Sequence, residues 1–149
     1  TRALALRSEL SLGWQNALSS RILLWRGQFQ WLEKLNPDLL SVIQVSGQVS
    51  GSELLFLDRF YVGGFYTVRG YDHNILSGDN GVTVRGELRY SLITNQTWGR
   101  YTVIPFFDWG LVGNNAFPSS ESLTSTGVGL LWQKGTWEVR LDYAVPLRH

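Results

Sequence analysis

GVTVRGELRYSLI, residues 81–93, sorts its side chains by parity. Val82, Val84, Leu88, Tyr90 and Leu92 take one, while Thr83, Arg85, Glu87, Arg89 and Ser91 take the other. Successive side chains of a strand point to opposite faces, so one face here is apolar and the other ionic. TWEVRLDYAV, residues 136–145, repeats the pattern with Trp137, Val139, Leu141 and Tyr143 against Glu138, Arg140 and Asp142. ALALRSELSLGW, residues 3–14, sets Leu4, Leu6, Leu10 and Leu12 against Arg7, Glu9 and Ser11. The alternation predicts an all-β chain of seven antiparallel strands, at about 3–14, 20–32, 39–50, 80–93, 100–112, 124–133 and 136–146.

Composition agrees with that class. The 149 residues are enough for one domain or part of one, and 7 Trp, 6 Tyr, 7 Phe and 16 Gly against 4 Pro suit an aromatic-rich β protein with many turns. Cysteine is absent, which removes disulfides and thiolate zinc sites. A net charge of +1 speaks against a nucleic-acid surface, which needs clustered Lys and Arg. No stretch approaches the roughly 20 apolar residues of a membrane helix, and the start TRALALRSEL lacks the apolar block of a signal peptide. A strand crosses a bilayer with only about 9–11 residues, so a membrane barrel stays open.

The connections alternate in character. LEKLNPD, TNQTWG and QKG are short and polar, and both lysines, Lys34 and Lys134, are expected in these tight turns. YVGGFYTVRGYDHNILSGDN and VGNNAFPSSES are long. Tight turns at one end and long loops at the other describe an outer-membrane barrel. A soluble sandwich or lipocalin-like barrel alternates too, with its apolar face as the core. Two features favour the membrane. The polar parity carries both signs of charge, in Arg7, Glu9, Arg26, Arg85, Glu87, Arg89, Asp108, Glu138, Arg140 and Asp142, together with Gln28, Gln30, Gln44 and Gln48, which suits a wet, pore-lining wall. Trp31, Tyr90, Trp98, Tyr101, Trp132 and Trp137 all lie near the tight turns, where a headgroup-level girdle belongs. Seven strands leave two open edges, and an unpaired backbone group in lipid costs several kcal/mol. The chain is therefore expected to be part of a larger barrel or to need partner strands.

The connection at about 51–79 is far longer than a hairpin needs. Its segment YVGGFYTVRGY, residues 61–71, holds four aromatics and two valines, a composition for packing against something rather than for waving in water. The nearest enclosed surface is the barrel interior. A loop folded inward carries Arg69 into a confined space, where it needs a carboxylate to offset desolvation. The polar parity of the next two strands supplies Glu87 and Asp108.

With GGFYTVRGY followed by GELRY and then FFDWG, the chain resembles the superfamily that unites BamA-type outer-membrane insertases with two-partner secretion transporters of the FhaC/ShlB (TpsB) type. The three motifs cover roughly residues 40–112. The resemblance implies an antiparallel transmembrane β-barrel segment, the ninth to fifteenth of sixteen strands, making residues 1–149 the C-terminal portion of the barrel. Val68, Arg69, Gly70 and Tyr71 would be the loop motif, tucked into the barrel, with Arg69 on Asp108 and Glu87 close by. The short LSGDNGVTVRGEL ending is more like the secretion transporters. These imply export of a large adhesin- or haemolysin-type exoprotein across the outer membrane without ATP, with outer-membrane lipid, the remaining strands and POTRA domains as partners. An insertase and a passive diffusion pore remain the alternatives.

Enzymatic chemistry finds no support in the motifs. There is no G-x-S-x-G and no metal-spaced His, and the histidines are His73 and His149. Glu138 and Asp142 share a face but flank Arg140, an arrangement of wall electrostatics rather than of an acid–base pair. GVGL near 127 lacks the lysine of a phosphate loop, and the NQT sequon at 95–97 falls in a tight turn. No cofactor, metal or nucleic-acid partner is expected.

Overall fold

The computed structural model describes residues 1–15, 20–95, 97–116 and 119–147. Gln96 of the sequon turn and His149 lie outside the described residues. Seven long strands follow one another as an antiparallel meander: β1 (Arg2–Gln15), β2 (Ser20–Asn36), β3 (Leu39–Ser50), β6 (Asn80–Asn95), β7 (Gly99–Gly113), β8 (Ser120–Lys134) and β9 (Trp137–Pro146). Between β3 and β6 the chain forms a 3-10 turn at Phe56–Asp58 and a two-stranded ribbon of β4 (Phe60–Val62) and β5 (Leu76–Gly78). The long strands have 10–17 residues, each enough for a tilted crossing of the hydrocarbon layer. Among the described residues β1 and β9 do not pair with each other, so the sheet is open at both edges.

Several elements run beyond their expected limits. The β2–β3 connection shrinks to Pro37–Asp38, because Lys34 still pairs with Leu40 and a register shift between Lys34 and Asn36 absorbs the extra residue. Lys34 therefore lies within β2, and Lys134 is the last residue of β8, paired with Trp137, rather than a turn residue. β8 begins at Ser120, four residues before the expected start, through pairing of Ser120 with Gly113. The long connection, expected without strands, carries a ribbon of its own.

The parity reading is what the sheet shows. Leu4, Leu6, Leu10, Leu12, Leu88, Leu92, Leu141 and Tyr143 are exposed on the outer face. So broad an apolar surface is an unpartnered patch in water and the ordinary exterior of a barrel in lipid. The outward Trp25 indole donates to Ser8 Oγ at 2.9 Å, so this polar pair is satisfied where no water is at hand. Near the tight turns Tyr90, Trp98 and Trp137 are exposed, and the Trp132 indole donates to the Trp98 carbonyl at 2.8 Å.

The inner face, which bears the loop, is not ionic throughout. Along β7 its side chains are Thr102, Ile104, Phe106, Asp108, Gly110 and Val112, all buried, and Leu123 joins them from β8. A wet wall would not place these apolar groups inward. The loop between β3 and β6 covers Phe106, Gly110, Val112 and Leu123 among them.

Candidate functional site

The loop is fixed at its base by a buried acid. Asp79, at 0% exposure, accepts the Leu54 amide at 2.8 Å on one oxygen and the Asn115 amide at 2.8 Å on the other. Gln48 of β3 donates to the carbonyls of Asp58 and Asp79 at 2.9 and 3.2 Å, while Arg26 of β2 reaches Gln48 Oε1 at 2.8 Å and the Asp58 carbonyl at 3.2 Å. From this base the β4–β5 ribbon carries the chain inward. A tight tip follows, in which the Gly64 amide donates to the Val68 carbonyl at 3.0 Å and the Thr67 amide to the Gly64 carbonyl at 3.2 Å.

The loop lies on the wall through a small apolar core. Val62 and Val68 are fully buried against Val112 and Leu123, with Phe60, Tyr71 and Leu76 packed around them. Gly110 makes the approach possible: a Cβ there would stand 2.6 Å from Val62 Cγ1 and 3.1 Å from Val68 Cγ2. Gly70, with φ of 88°, turns the chain after Arg69 in a conformation that L side chains rarely adopt. The Tyr71 hydroxyl then donates to the Thr124 carbonyl of β8 at 2.9 Å.

This packing delivers Arg69, 2% exposed, onto three strands at once. Its Nε and Nη2 fork onto Asp108 Oδ2 and Oδ1 at 2.7 and 2.8 Å, and its backbone amide adds a third bond to Oδ2 at 3.1 Å. Nη1 donates to Glu87 Oε1 at 2.8 Å and to Asp142 Oδ2 at 3.2 Å. The guanidinium carbon lies 3.5 Å from the centre of the Phe106 ring. Burial works against the Arg69 charge, but hydrogen bonding and attraction from Asp108, with Glu87 and Asp142 behind it, outweigh that and raise its pKa above the ordinary arginine value. Asp108 stands five residues in from the end of β7 at Gly113, so the arginine is held roughly 17 Å down the wall.

Further arginines close the cluster. Arg140 joins Glu87 Oε1 at 2.8 Å to Asp142 Oδ1 at 3.0 Å, and Arg89 forks onto Glu87 Oε2 at 3.0 and 2.8 Å. Arg85 Nη1 donates to the Tyr66 carbonyl at 3.1 Å, and its Nε is 3.6 Å from Asp108 Oδ1. Four guanidiniums, of Arg69, Arg85, Arg89 and Arg140, thus meet three carboxylates, of Glu87, Asp108 and Asp142, leaving one net positive charge.

The residues expected to line a pore separate into groups. Arg85, Arg89, Arg140 and Asp142 belong to the cluster, and Arg26 is committed to the loop base. Arg7 and Glu9 form an open pair at 3.6 Å, and Glu138 accepts from Gln133 Nε2 at 2.7 Å, away from the loop. Sequence reasoning missed Asp142 as a ligand of Arg69, since nothing local brings together residues 73 positions apart. It also missed Asp79 and Phe106. Phe106 carries a signal, being an aromatic on the parity that elsewhere holds ionic groups.

The meander, its apolar exterior and an arginine-bearing loop laid on the inner wall describe a membrane β-barrel portion with a plug-like insert. The chain belongs to the haemolysin secretion/activation family ShlB/FhaC/HecB, whose profile matches residues 3–132. The family is one of outer-membrane transporters of two-partner secretion rather than an enzyme class.

Proposed function

We propose that the chain forms the C-terminal part of a sixteen-stranded barrel that exports a large adhesin- or haemolysin-type exoprotein without ATP, and that Val68, Arg69, Gly70 and Tyr71 clasp the loop of residues 51–79 to the pore wall. The observation that carries this is the burial of Arg69 on Asp108, at 2% and 0% exposure. A guanidinium forked on a carboxylate fixes direction as well as charge, so the clasp sets one loop position rather than merely attracting the loop. Glu87 and Asp142 hold the remaining donors. Open strand edges at β1 and β9 call for the remaining strands of the barrel, and POTRA domains on the tight-turn side are the partners for substrate recognition.

The test is charge exchange in the assembled transporter. Arg69→Asp and Asp108→Arg each abolish secretion while the barrel still reaches the outer membrane, and the double exchange restores part of it. Full secretion by both single variants removes the clasp from the mechanism.

A further inference from the structure

The loop is held at its neck as well as by its arginine, and at the neck one carboxylate joins three parts of the chain. Asp79 takes the Leu54 amide on Oδ1 and the Asn115 amide on Oδ2, each at 2.8 Å. Residues 54–79 thereby form a closed ring, tied in turn to the start of the β7–β8 connection. The Arg59 Nε, which donates to the Leu54 carbonyl at 3.2 Å, lies 3.9 Å from Asp79 Oδ1 and sets a cation beside the buried acid. The Asn115 side chain adds a strap. Its Nδ2 donates to the Ser50 and Ser52 carbonyls at 3.0 Å, and its Oδ1 accepts from Asn80 Nδ2 at 2.8 Å. A residue just past β7 thus reaches across the start of β6 to the end of β3. Gly78 allows the close seat, since a Cβ there would stand 2.7 Å from the Gly113 carbonyl oxygen.

We infer that Asp79 is a positioning residue for export: it keeps the neck shut, so that the loop tip can leave the Asp108 clasp and return without the loop being drawn out of the barrel. The inference rests on the clasp reading above. The two holds are separate in place. Asp108 lies roughly 17 Å along β7 from the Gly113 end, beside which the neck sits. They are also separate in chemistry. The clasp consists chiefly of side-chain ion pairs, in which another ionic group can substitute, and Arg85 already stands 3.6 Å from Asp108 Oδ1. The neck consists of backbone amides on a carboxylate of 0% exposure. A buried amide stripped of its acceptor costs more than the bond itself contributes, so the neck resists opening. Between the two, the β4–β5 ribbon, paired from Phe60 and Gly78 to Val62 and Leu76, is a short lever from neck to tip.

The experiment uses the assembled transporter in intact cells, single cysteines in a chain that has none of its own, and a membrane-impermeant maleimide. Long loops of outer-membrane barrels face outward, so the reagent meets the neck first. Asp79→Asn keeps the size of the side chain but turns one acceptor into a donor aimed at a backbone amide. It is expected to raise labelling of Leu54→Cys severalfold while Val68→Cys stays as protected as in the parent, and to slow secretion severalfold with barrel assembly unchanged. Arg69→Ala gives the reverse labelling, with Val68→Cys exposed and Leu54→Cys protected. Asn115→Ala keeps the backbone bond and loses the strap, so its labelling at Leu54→Cys falls between the parent and Asp79→Asn. A general loosening of the fold would not cross the two sites in this way. Equal exposure of both cysteines by Asp79→Asn, no exposure of Leu54→Cys, or undiminished secretion overturns the neck, and the clasp reading stands if Arg69→Ala has lost secretion. Undiminished secretion by Arg69→Ala overturns both.

Discussion

Arg85 Nε stands 3.6 Å from Asp108 Oδ1, the same oxygen that accepts Arg69 Nη2, and it is buried without a hydrogen-bond partner. A second cation is thus kept beside the acid that the loop arginine occupies. If the loop withdraws, Arg85 is placed to take over Asp108 and spare it a buried, unpaired charge.

Arg69→Ala and Arg85→Ala are therefore expected to couple. Each single change leaves Asp108 one guanidinium, while the double change leaves it none nearby. The double variant should lose more stability than the two singles added, by about 0.5–3 kcal/mol for groups in one network. Urea unfolding of the barrel in detergent measures it, and simple additivity would show that Arg85 provides no relief.

Charge balance ranks the clasp variants. Removing Arg69 leaves three arginines against three acids, whereas removing Asp108 leaves four against two. Asp108→Ala should thus be the more damaging, approaching the roughly 3–5 kcal/mol typical of breaking a buried pair. The heat-modified gel shift of the assembled barrel reports the order, and greater loss from Arg69→Ala would contradict this account.

Lysine cannot replace Arg69. A single ammonium reaches one Asp108 oxygen, abandons Glu87 or Asp142, and gives up the planar stacking on Phe106. Arg69→Lys should secrete nearly as poorly as Arg69→Ala. Phe106→Leu removes only the ring contact, worth about 0.5–2 kcal/mol, and should be milder. Secretion assays on the three variants give the ranking directly.

Gly110→Val tests the seat of the loop rather than its charge. The new side chain would collide with Val62 and Val68, and overpacking of this kind costs about 1–3 kcal/mol. Relief comes by lifting the loop, so a cysteine introduced at Val68 should label faster in this variant than in the parent. Unchanged labelling would mean that the wall yields instead.

Local pattern made much of this legible. The two-residue period of 81–93 or 136–145 fixes both the strand and the face of each side chain, because every member of a strand obeys the same alternation. The loop's aromatics and valines announced a packed segment, and the parity of Glu87 and Asp108 put them on the face that the loop covers. Strand ends were less legible, since Lys34 and Ser120 pair through their partners' backbone rather than through any preference of their own.

The amino-acid order by itself determined the strands, their two chemically distinct faces and the presence of an arginine in need of an acid, all of which are set by neighbours a few residues apart. Only the tertiary structure decided which acids answer it. Asp142 arrives from β9 beside Glu87 of β6, Phe106 slides under the guanidinium, and Asp79 pins the loop base, because curvature of the sheet and the path of the loop join positions that no local period relates.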